Sequence, residues 1–347
     1  MKLTHISDTL LDEASSPALL REALDAFSDL CSAASGIVPD RSFDAWAGDS
    51  LLDNGVAINP QAAAHCVTDY QRSVIYIRGA YAAIKAARER FNGPIQILYP
   101  GCGPFATLLL PLLEKFHPDE LEVHLLDIHQ QSLESVSALI QIVGLDGYRI
   151  TYVQDDACHY QHPTRPHVII VETMQKSLEQ EPQFAVTANL APQLHERGIF
   201  IPQKIEVELC LADLDSETAA FKQGATLDPD MLTKTGKRHP LDTVLSLTPQ
   251  RAAALLQNAQ QDDTTGAITL NPVYVTIPPL AKLENFDAVL FTRVQAFEQY
   301  QLLDYESEIT LPLRCSELAP LRAGTSYRVS FRLGSYPKFC IDQGEDE

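Results

Sequence analysis

Apolar positions recur at helical spacing through the first part of the chain. The stretch SPALLREALDAFSDLCSAA carries a run of them on one helical face, at Leu19, Leu20, Ala23, Leu24, Phe27, Leu30 and Cys31. Ser16 before Pro17 predicts the start of this helix, because serine caps helices and proline fits the first turn. A second helix is predicted from about residue 62 to residue 91, ended by Asn92-Gly93-Pro94. We therefore expect residues 1–93 to form a helical segment that acts as a lid.

From residue 94 onward, β-branched runs alternate with helical patterns. The predicted strands are Ile95 to Tyr99, Glu122 to Ile128, Ile150 to Gln154, Val168 to Val171 and a long fifth strand from Gly198 to about Leu211. The predicted helices are Leu108 to Phe116, Gln131 to Val143 and Phe184 to His195. Such alternation is typical of a parallel sheet with helices on both faces. We expect an α/β, Rossmann-like, mostly parallel sheet over residues 94–202.

The pattern changes after residue 212. Residues 213–262 look helical and polar, whereas the runs from Ala267 onward alternate like strands. This predicts a C-terminal β-rich, barrel-like domain over residues 203–347, with a helical insertion at about 213–262. We expect Trp46 to be a packing anchor and the terminal GEDE to be a disordered acidic tail.

Charge and cysteine content narrow the function. The chain has 347 residues and a formal net charge of -20, whereas nucleic-acid binders need a basic footprint. The seven cysteines are scattered and form no C-x-x-C motif, which favours a reducing compartment. No apolar run approaches the roughly 18 residues of a membrane span. We expect a cytoplasmic protein that binds neither nucleic acid nor membrane, with a small cationic or zwitterionic substrate.

A glycine turn follows the first predicted strand. Gly101-Cys102-Gly103 lies between a buried strand and an apolar stretch, where glycine allows a sharp turn and close approach of a ligand. Pro104 fits the first turn of a following helix, whose unpaired N–H groups would face that ligand. With Ala106, the turn also matches the dinucleotide fingerprint, so a nicotinamide cofactor is an alternative.

Acids follow the next two strands. Asp127 and Ile128 end the second strand, and Asp155-Asp156-Ala157 end the third. A carboxylate at the first position can accept hydrogen bonds from ribose hydroxyls, and one at the second from the adenine amine, because ligands bind at the carboxyl ends of such strands. The triple pattern resembles the class I S-adenosylmethionine (SAM)-dependent methyltransferase family. That resemblance implies SAM as cofactor, held by Gly101, Cys102, Gly103, Asp127, Ile128, Asp155, Asp156 and Ala157.

Two glutamates follow the fourth strand. Glu172 and Glu181 are nine positions apart, with Met174 between them and GIFIPQK downstream. This arrangement resembles the protein arginine methyltransferases, as does the upstream stretch QRSVIYIRGAY. The resemblance implies that Glu172 and Glu181 are the catalytic residues and that Arg72 pairs with the SAM carboxylate. Residues 179–182 are also compatible with a solvated loop or with the first turn of a helix, where acids suit the helix dipole.

The chemistry of these residues agrees with that resemblance. A guanidinium offers five donors in a planar fork, and two carboxylates can bracket it through charge-assisted hydrogen bonds. They can also hold one nitrogen in line for methyl transfer, so that no metal is required. We expect a SAM-dependent N-methyltransferase acting on a guanidine or amine, in a small molecule such as arginine or in a peptide arginine.

Several alternatives stay open. The same cofactor site would serve aminocarboxypropyl transfer or cyclisation, the glycine turn alone would serve an NAD-dependent oxidoreductase, and the chain could bind partners without catalysis. The insertion suggests a dimerisation arm and therefore a possible homodimer. Cys158, His159, His162 and His167 lie close together in sequence, but their spacing does not favour a zinc site.

Overall fold

The computed structural model of the chain describes residues 1–40, 49–262 and 267–343. Trp46 and the acidic tail lie outside these residues. Two N-terminal helices, α1 (Leu3–Leu11) and α2 (Pro17–Ser35), form as expected. Ser16 caps α2 by accepting a hydrogen bond from the Leu19 N–H, and Pro17 occupies the first turn. The predicted start of α2 is therefore confirmed.

The predicted helix over residues 62–91 is broken in two. It consists of α3 (Pro60–His65), a 3₁₀ turn (Cys66–Thr68) and α4 (Tyr70–Arg90). Asp69 starts α4 because its side chain accepts from the Arg72 N–H. The residues before α3 are not helical: β1 (Ser50–Leu52) and β2 (Gly55–Ala57) form an antiparallel hairpin.

The parallel sheet forms as predicted. Its strands are β3 (Ile95–Pro100), β4 (Leu121–Asp127), β5 (Arg149–Gln154), β6 (Val168–Ile170) and β7 (Ile199–Ile201), in the order β5-β4-β3-β6-β7. All four pairings are parallel. The connections include α5 (Gln130–Ile142) and α6 (Gln183–Leu190). Pro100, Asp127, Gln154 and Ile170 end their strands at one edge, which places the residues that follow them side by side.

The helix predicted directly after the glycine turn is wrong. Residues 101–109 form successive turns, and only a 3₁₀ helix follows, at Leu110–Lys115. Gly101, Gly103 and Ala106 all have positive φ, at 62°, 62° and 42°, which a right-handed helix does not accommodate. The leucines of this segment are buried on every side and lack the polar face of a surface helix.

The long fifth strand is also wrong as a single element. It divides into β7 and β8 (Lys204–Ala212), which belong to different sheets. Pro202 lies between them and cannot donate to a strand ladder, so the chain leaves the parallel sheet there. β8 then pairs antiparallel with β13 (Asp287–Phe297) over nine consecutive pairs, from Ala212–Asp287 to Lys204–Gln295.

The insertion after β8 is only partly helical. It contains α7 (Leu214–Lys222), α8 (Pro229–Lys234), β9 (Arg238–Leu247), α9 (Pro249–Gln257) and β10 (Gln260–Gln261). β9 pairs with β8 over most of its length, so a ten-residue strand lies within the predicted helical insertion. Polarity misled the prediction, because β9 alternates irregularly across two shifts of register.

The remaining strands are β11 (Ile268–Thr269), β12 (Val273–Thr276), β14 (Tyr300–Leu302), β15 (Leu313–Arg314), β16 (Ser326–Arg332) and β17 (Lys338–Gln343). They complete two five-stranded antiparallel sheets. One has the path β14-β13-β8-β9 with β15 on β13, and the other β10-β11-β16-β12 with β17 on β16. Neither path closes on itself within the described residues, so the C-terminal part is β-rich without a closed barrel.

Helix α4 connects the parallel sheet to the first antiparallel sheet. A Cβ at Gly79 would lie 3.3 Å from the Cβ of Ala296 on β13, so the helix and the strand approach closely there. One apolar core runs from the N-terminal helices through the parallel sheet into both antiparallel sheets. Of the described helices, none combines the length and the apolar character needed to cross a membrane.

Candidate functional site

A cavity lies at the carboxyl edge of the parallel sheet and encloses about 1030 Å³ of empty space, part of it open to solvent. All eleven residues singled out from the sequence line it: Arg72, Gly101, Cys102, Gly103, Asp127, Ile128, Asp155, Asp156, Ala157, Glu172 and Glu181. The fold therefore brings together residues that are more than a hundred positions apart in the chain.

The glycine turn contacts the glutamate segment. A Cβ at Gly101 would lie 2.6 Å from Cγ2 of Thr173, the residue after Glu172, so this position has no room for a side chain. The Gly103 N–H donates to Asp127 Oδ2 at 2.9 Å, which joins the turn to the end of β4. Burial raises the pKa of the Cys102 thiol well above its ordinary value, so this side chain is a neutral packing residue.

The acids after β4 and β5 differ in environment. Asp127 is buried, and its Oδ1 accepts from the His129 N–H at 2.9 Å. Each oxygen of Asp127 thus holds one backbone donor; Oδ1 also lies 3.4 Å from His129 Nδ1, whereas Oδ2 keeps a lone pair for a ligand. Asp155 is exposed and Asp156 half-buried, and their Oδ1 atoms accept from the backbone of Asp156 and Cys158, at 2.8 Å each. The part of the cavity formed by the glycine turn and these acids, where the sequence predicts the cofactor, is called here the cofactor half. Its acids already accept backbone hydrogen bonds.

Arg72 and Glu172 form a buried ion pair. Arg72 is 7% exposed, and its Nη1 lies 3.3 Å from Glu172 Oε2. Arg72 Nη2 donates to the Cys66 carbonyl at 2.8 Å. The second oxygen of Glu172, Oε1, is buried and has no hydrogen-bond partner among the described residues. A buried carboxylate oxygen in this state is costly and is suited to accept from a bound donor.

Glu181 shares this buried environment. It is 9% exposed, and burial, followed by the charge of Glu172, raises its pKa to about 8, although Arg72 and Gln175 act in the opposite direction. Burial also raises the pKa of Glu172, while Arg72 lowers it. Glu181 precedes α6 by two residues, but its carboxylate is buried in the cavity, so the solvated-loop interpretation is wrong. A cation placed between the two carboxyl groups would favour ionisation of both.

The segment between the two glutamates, residues 172–181, is called here the glutamate loop. Ser177, Leu178 and Gln180 have positive φ, at 56°, 57° and 68°, which is uncommon for residues with side chains. The antiparallel sheets hold this backbone in place. The Ser177 N–H donates to Thr292 Oγ1 at 2.9 Å, and the Gln180 N–H to the Pro337 carbonyl at 2.8 Å.

Several residues in or beside the cavity were not predicted from the sequence. The hairpin β1–β2 covers one side of the cavity with Leu52, Val56 and Ala57. Asp69 accepts hydrogen bonds from Ser307 Oγ at 2.6 Å and from the Glu308 N–H at 2.9 Å, which connects the start of α4 to a distant loop. Asp69 was detectable as a helix cap, but its partner 238 positions away was not.

The cysteine and histidines set aside as metal ligands are dispersed. The His162 ring lies 4.4 Å from that of His124, while His167 stacks on Phe91 at 4.0 Å. Over residues 1–40, 49–262 and 267–343, no group of three or more His, Cys, Asp or Glu side chains is placed to hold a metal ion.

Comparison with known proteins gives structural matches only. No protein-family model and no curated protein matches the sequence. Solved structures similar to the chain include protein arginine methyltransferase 10 of Arabidopsis thaliana, at 12% identity and a TM-score of 0.46, covering 77% of this chain and 85% of that one. They also include the Trypanosoma brucei PRMT1 enzyme–prozyme heterotetrameric complex with AdoHcy, at 12% identity and a TM-score of 0.44, covering 81% and 92%. At this level of similarity, the function has to be argued from the site itself.

Proposed function

We propose that the chain is a SAM-dependent methyltransferase that methylates a nitrogen of a guanidine or amine. The observation that carries this proposal is the buried pair of carboxyl groups, Glu172 and Glu181, at the cavity edge next to the glycine turn. One of their oxygens, Glu172 Oε1, is buried without a hydrogen-bond partner among the described residues. A planar cation with several N–H donors satisfies such a pair better than a neutral or anionic ligand does.

The cofactor half of the cavity fits SAM. Asp127 is a buried acceptor with a free lone pair for the ribose hydroxyls, and Asp155 or Asp156 can accept from the adenine amine. The bare backbone at Gly101 and Gly103 allows close approach, and Arg72 is the cation available to a carboxylate. When bound, SAM supplies an electrophilic methyl group on a sulfonium centre.

The residues of this chain then act on the acceptor. Glu172 and Glu181 orient the guanidine or amine and hold one nitrogen toward the cofactor half, which lowers the entropic part of the barrier. Methylation of that nitrogen releases a proton. Glu181, which the bound cation holds in its ionised form, is placed to take it up.

The turn structure after β3 disfavours the nicotinamide alternative. The dinucleotide fingerprint places the pyrophosphate at a helix N-terminus that begins at the glycines. Here residues 101–109 form turns and the next helix is a 3₁₀ helix starting at Leu110. The glycine turn therefore lacks the helix end that would hold a pyrophosphate.

The test is direct. We expect S-adenosylhomocysteine to bind in calorimetry and NAD not to bind. A pool of guanidines, amines and arginine peptides incubated with the protein and methyl-labelled SAM should yield a product heavier by methyl groups. A product carrying the aminocarboxypropyl group would show that SAM is used differently. Binding of NAD in place of S-adenosylhomocysteine would refute the proposal.

The homodimer remains a prediction. Helices α7 and α8 of the insertion expose Phe221 at 39% and Met231 at 52%, which is compatible with a partner surface. Sedimentation analysis of the parent and of a Phe221→Ser, Met231→Ser variant tests it, since a dimer that uses these helices dissociates in the variant.

A further inference from the structure

The hairpin β1–β2 lies directly against the glutamate loop. A Cβ at Gly55 would lie 2.9 Å from the Gln180 carbonyl oxygen, 2.9 Å from the Pro182 nitrogen and 3.0 Å from the Glu181 carbonyl carbon. All three are backbone atoms on either side of the Glu181 side chain, so no rotamer change can relieve the contact. Gly55 also has a φ of +143°, a conformation that residues with side chains rarely adopt.

A backbone hydrogen bond fixes the same contact. The Val56 N–H donates to the Gln180 carbonyl at 2.8 Å. Val56 faces Leu51 across the hairpin, and its side chain is 4% exposed and lines the cavity. The hairpin is thus joined to the glutamate loop through one hydrogen bond and one close backbone approach, on consecutive residues.

Two polar contacts, one at the open end of the hairpin and one at its turn, also join it to the cofactor half of the cavity. Ser50 Oγ lies 3.2 Å from His129 Nε2, and the Asn54 amide nitrogen lies 3.5 Å from His159 Nε2. His129 follows β4 and His159 follows β5, so the hairpin spans from the carboxyl ends of these strands to the loop that carries Glu181. A rigid element supported at both ends can fix the position of a third group precisely enough for catalysis.

We propose that the hairpin β1–β2 is a positioning element for Glu181, and that Gly55 is the positioning residue through which it acts. This inference rests on the proposed role of Glu181 in binding a guanidine. Gly55 itself does not line the cavity. It permits a backbone contact that holds residues 180–182, and thereby the Glu181 carboxyl group, at a fixed distance from Glu172.

The test compares Gly55→Ala with Gly334→Ala in the protein saturated with S-adenosylhomocysteine. Gly334 is a matched control, because its φ is +128° but nothing lies within 4 Å of an added Cβ. Two quantities are measured: amide hydrogen exchange over residues 178–183, and the affinity for methylguanidinium, the simplest probe of a guanidine site. We expect Gly55→Ala to accelerate exchange and to weaken methylguanidinium binding by about 10-fold or more, since small displacements of positioning groups are costly. Gly334→Ala should change neither.

The outcomes separate the two proposals. If Gly55→Ala leaves exchange and affinity at the parent values, or accelerates exchange without weakening methylguanidinium, the positioning role is refuted. A different result is possible: the parent protein does not bind methylguanidinium, and Gly55→Ala accelerates exchange whereas Gly334→Ala does not. In that case the hairpin still holds the loop, and it is the guanidine assignment that fails. If Gly55→Ala does not fold, Val56→Ala is tested instead. It keeps the backbone hydrogen bond to Gln180 but weakens the packing of the hairpin. It is expected to change both quantities in the same direction by about 3-fold, and parent-like values for it would equally refute the proposal.

Discussion

The two halves of the cavity are built on different principles. In the cofactor half, the acids lie directly after regular strands, and their oxygens accept from neighbouring backbone N–H groups. In the glutamate half, the two acids line the same buried part of the cavity on a loop with three positive φ values, and one oxygen has no partner within the described part of the chain. The first half is preformed and locally satisfied. In the second half, burial raises the pKa of both carboxyl groups, and a cationic ligand can offset this electrostatic cost.

The largest effect is expected in the glutamate half. Glu172→Gln keeps the shape of the side chain but removes its charge, and so the charge-assisted bond to the acceptor. We expect methyl transfer to fall by about 2–4 kcal/mol in transition-state stabilisation, or roughly 30- to 1000-fold. The rate at which label passes from methyl-labelled SAM to the acceptor measures this loss.

Glu122→Gln is the control for this change, because Glu122 is a partly exposed glutamate on β4 whose partner is the exposed Arg149. If the Glu172 variant methylates an acceptor as fast as the parent protein does, Glu172 does not hold the acceptor during catalysis.

The next effect belongs to the cofactor half. Asp127→Ala removes an acceptor that we assign to the ribose, and hydrogen bonds to charged groups contribute about 1.5–3 kcal/mol. We expect S-adenosylhomocysteine affinity to fall by roughly 10- to 150-fold. Calorimetry measures it, with Asp146→Ala in the loop before β5 as the control. An unchanged affinity would mean that the ribose lies elsewhere.

A smaller effect is expected in the pH dependence of methylguanidinium binding. Glu181, with a pKa of about 8, must lose its proton to bind a cation, so methylguanidinium should bind more tightly as pH rises from 6 to 8. The gain is at most about 10-fold per pH unit and ends above the pKa. Glu181→Gln should abolish this dependence. A pH-independent affinity in the parent would contradict the buried, protonated state.

Ionisation of Glu181 is expected to favour cation binding but to lower the stability of the ligand-free protein. Because the folded protein holds this proton up to about pH 8 and the unfolded chain loses it near the ordinary pKa of 4.5, folding takes up a proton between these values. The Glu181 contribution to the free energy of unfolding therefore decreases as pH rises from 4.5 to 8. Denaturation of the ligand-free parent and of Glu181→Gln over this range tests the sign.

The smallest effect concerns the contact between the two halves. Gly101→Ala adds a methyl group 2.6 Å from Thr173 Cγ2 at a φ of +62°. Gly144→Ala has a similar φ, +75°, but open space, so it carries only the backbone cost of about 1–2 kcal/mol. We expect Gly101→Ala to be more destabilising in thermal denaturation. Thr173→Ser, which removes Cγ2 and keeps the hydroxyl, should restore part of the loss.

Equal melting temperatures for the two alanine variants would show that the glycine turn and Thr173 can move apart freely.

The sequence predicted the cofactor half of the cavity better than it predicted the elements around it. Asp127 and Asp155 could be identified because a residue that ends a parallel strand has only one edge to occupy. The sequence failed at Leu108 to Phe116, where the apolar run indicated a helix but only a 3₁₀ helix forms, after turns with three positive φ values. It failed again at residues 50–57, a hairpin of six paired residues with little periodicity, and at β9, whose polar positions looked helical.

The sequence by itself determined the order of strands and helices through the parallel sheet, since alternating apolar runs and stop residues act over a few neighbouring positions. It also specified which acids follow which strands. Only the tertiary structure decided that Glu181 is buried rather than solvated, that Arg72 faces Glu172, and that the hairpin rests on residues 180–182. These features depend on contacts between segments a hundred or more positions apart. They also depend on desolvation, which is a property of the packed chain and of no local pattern.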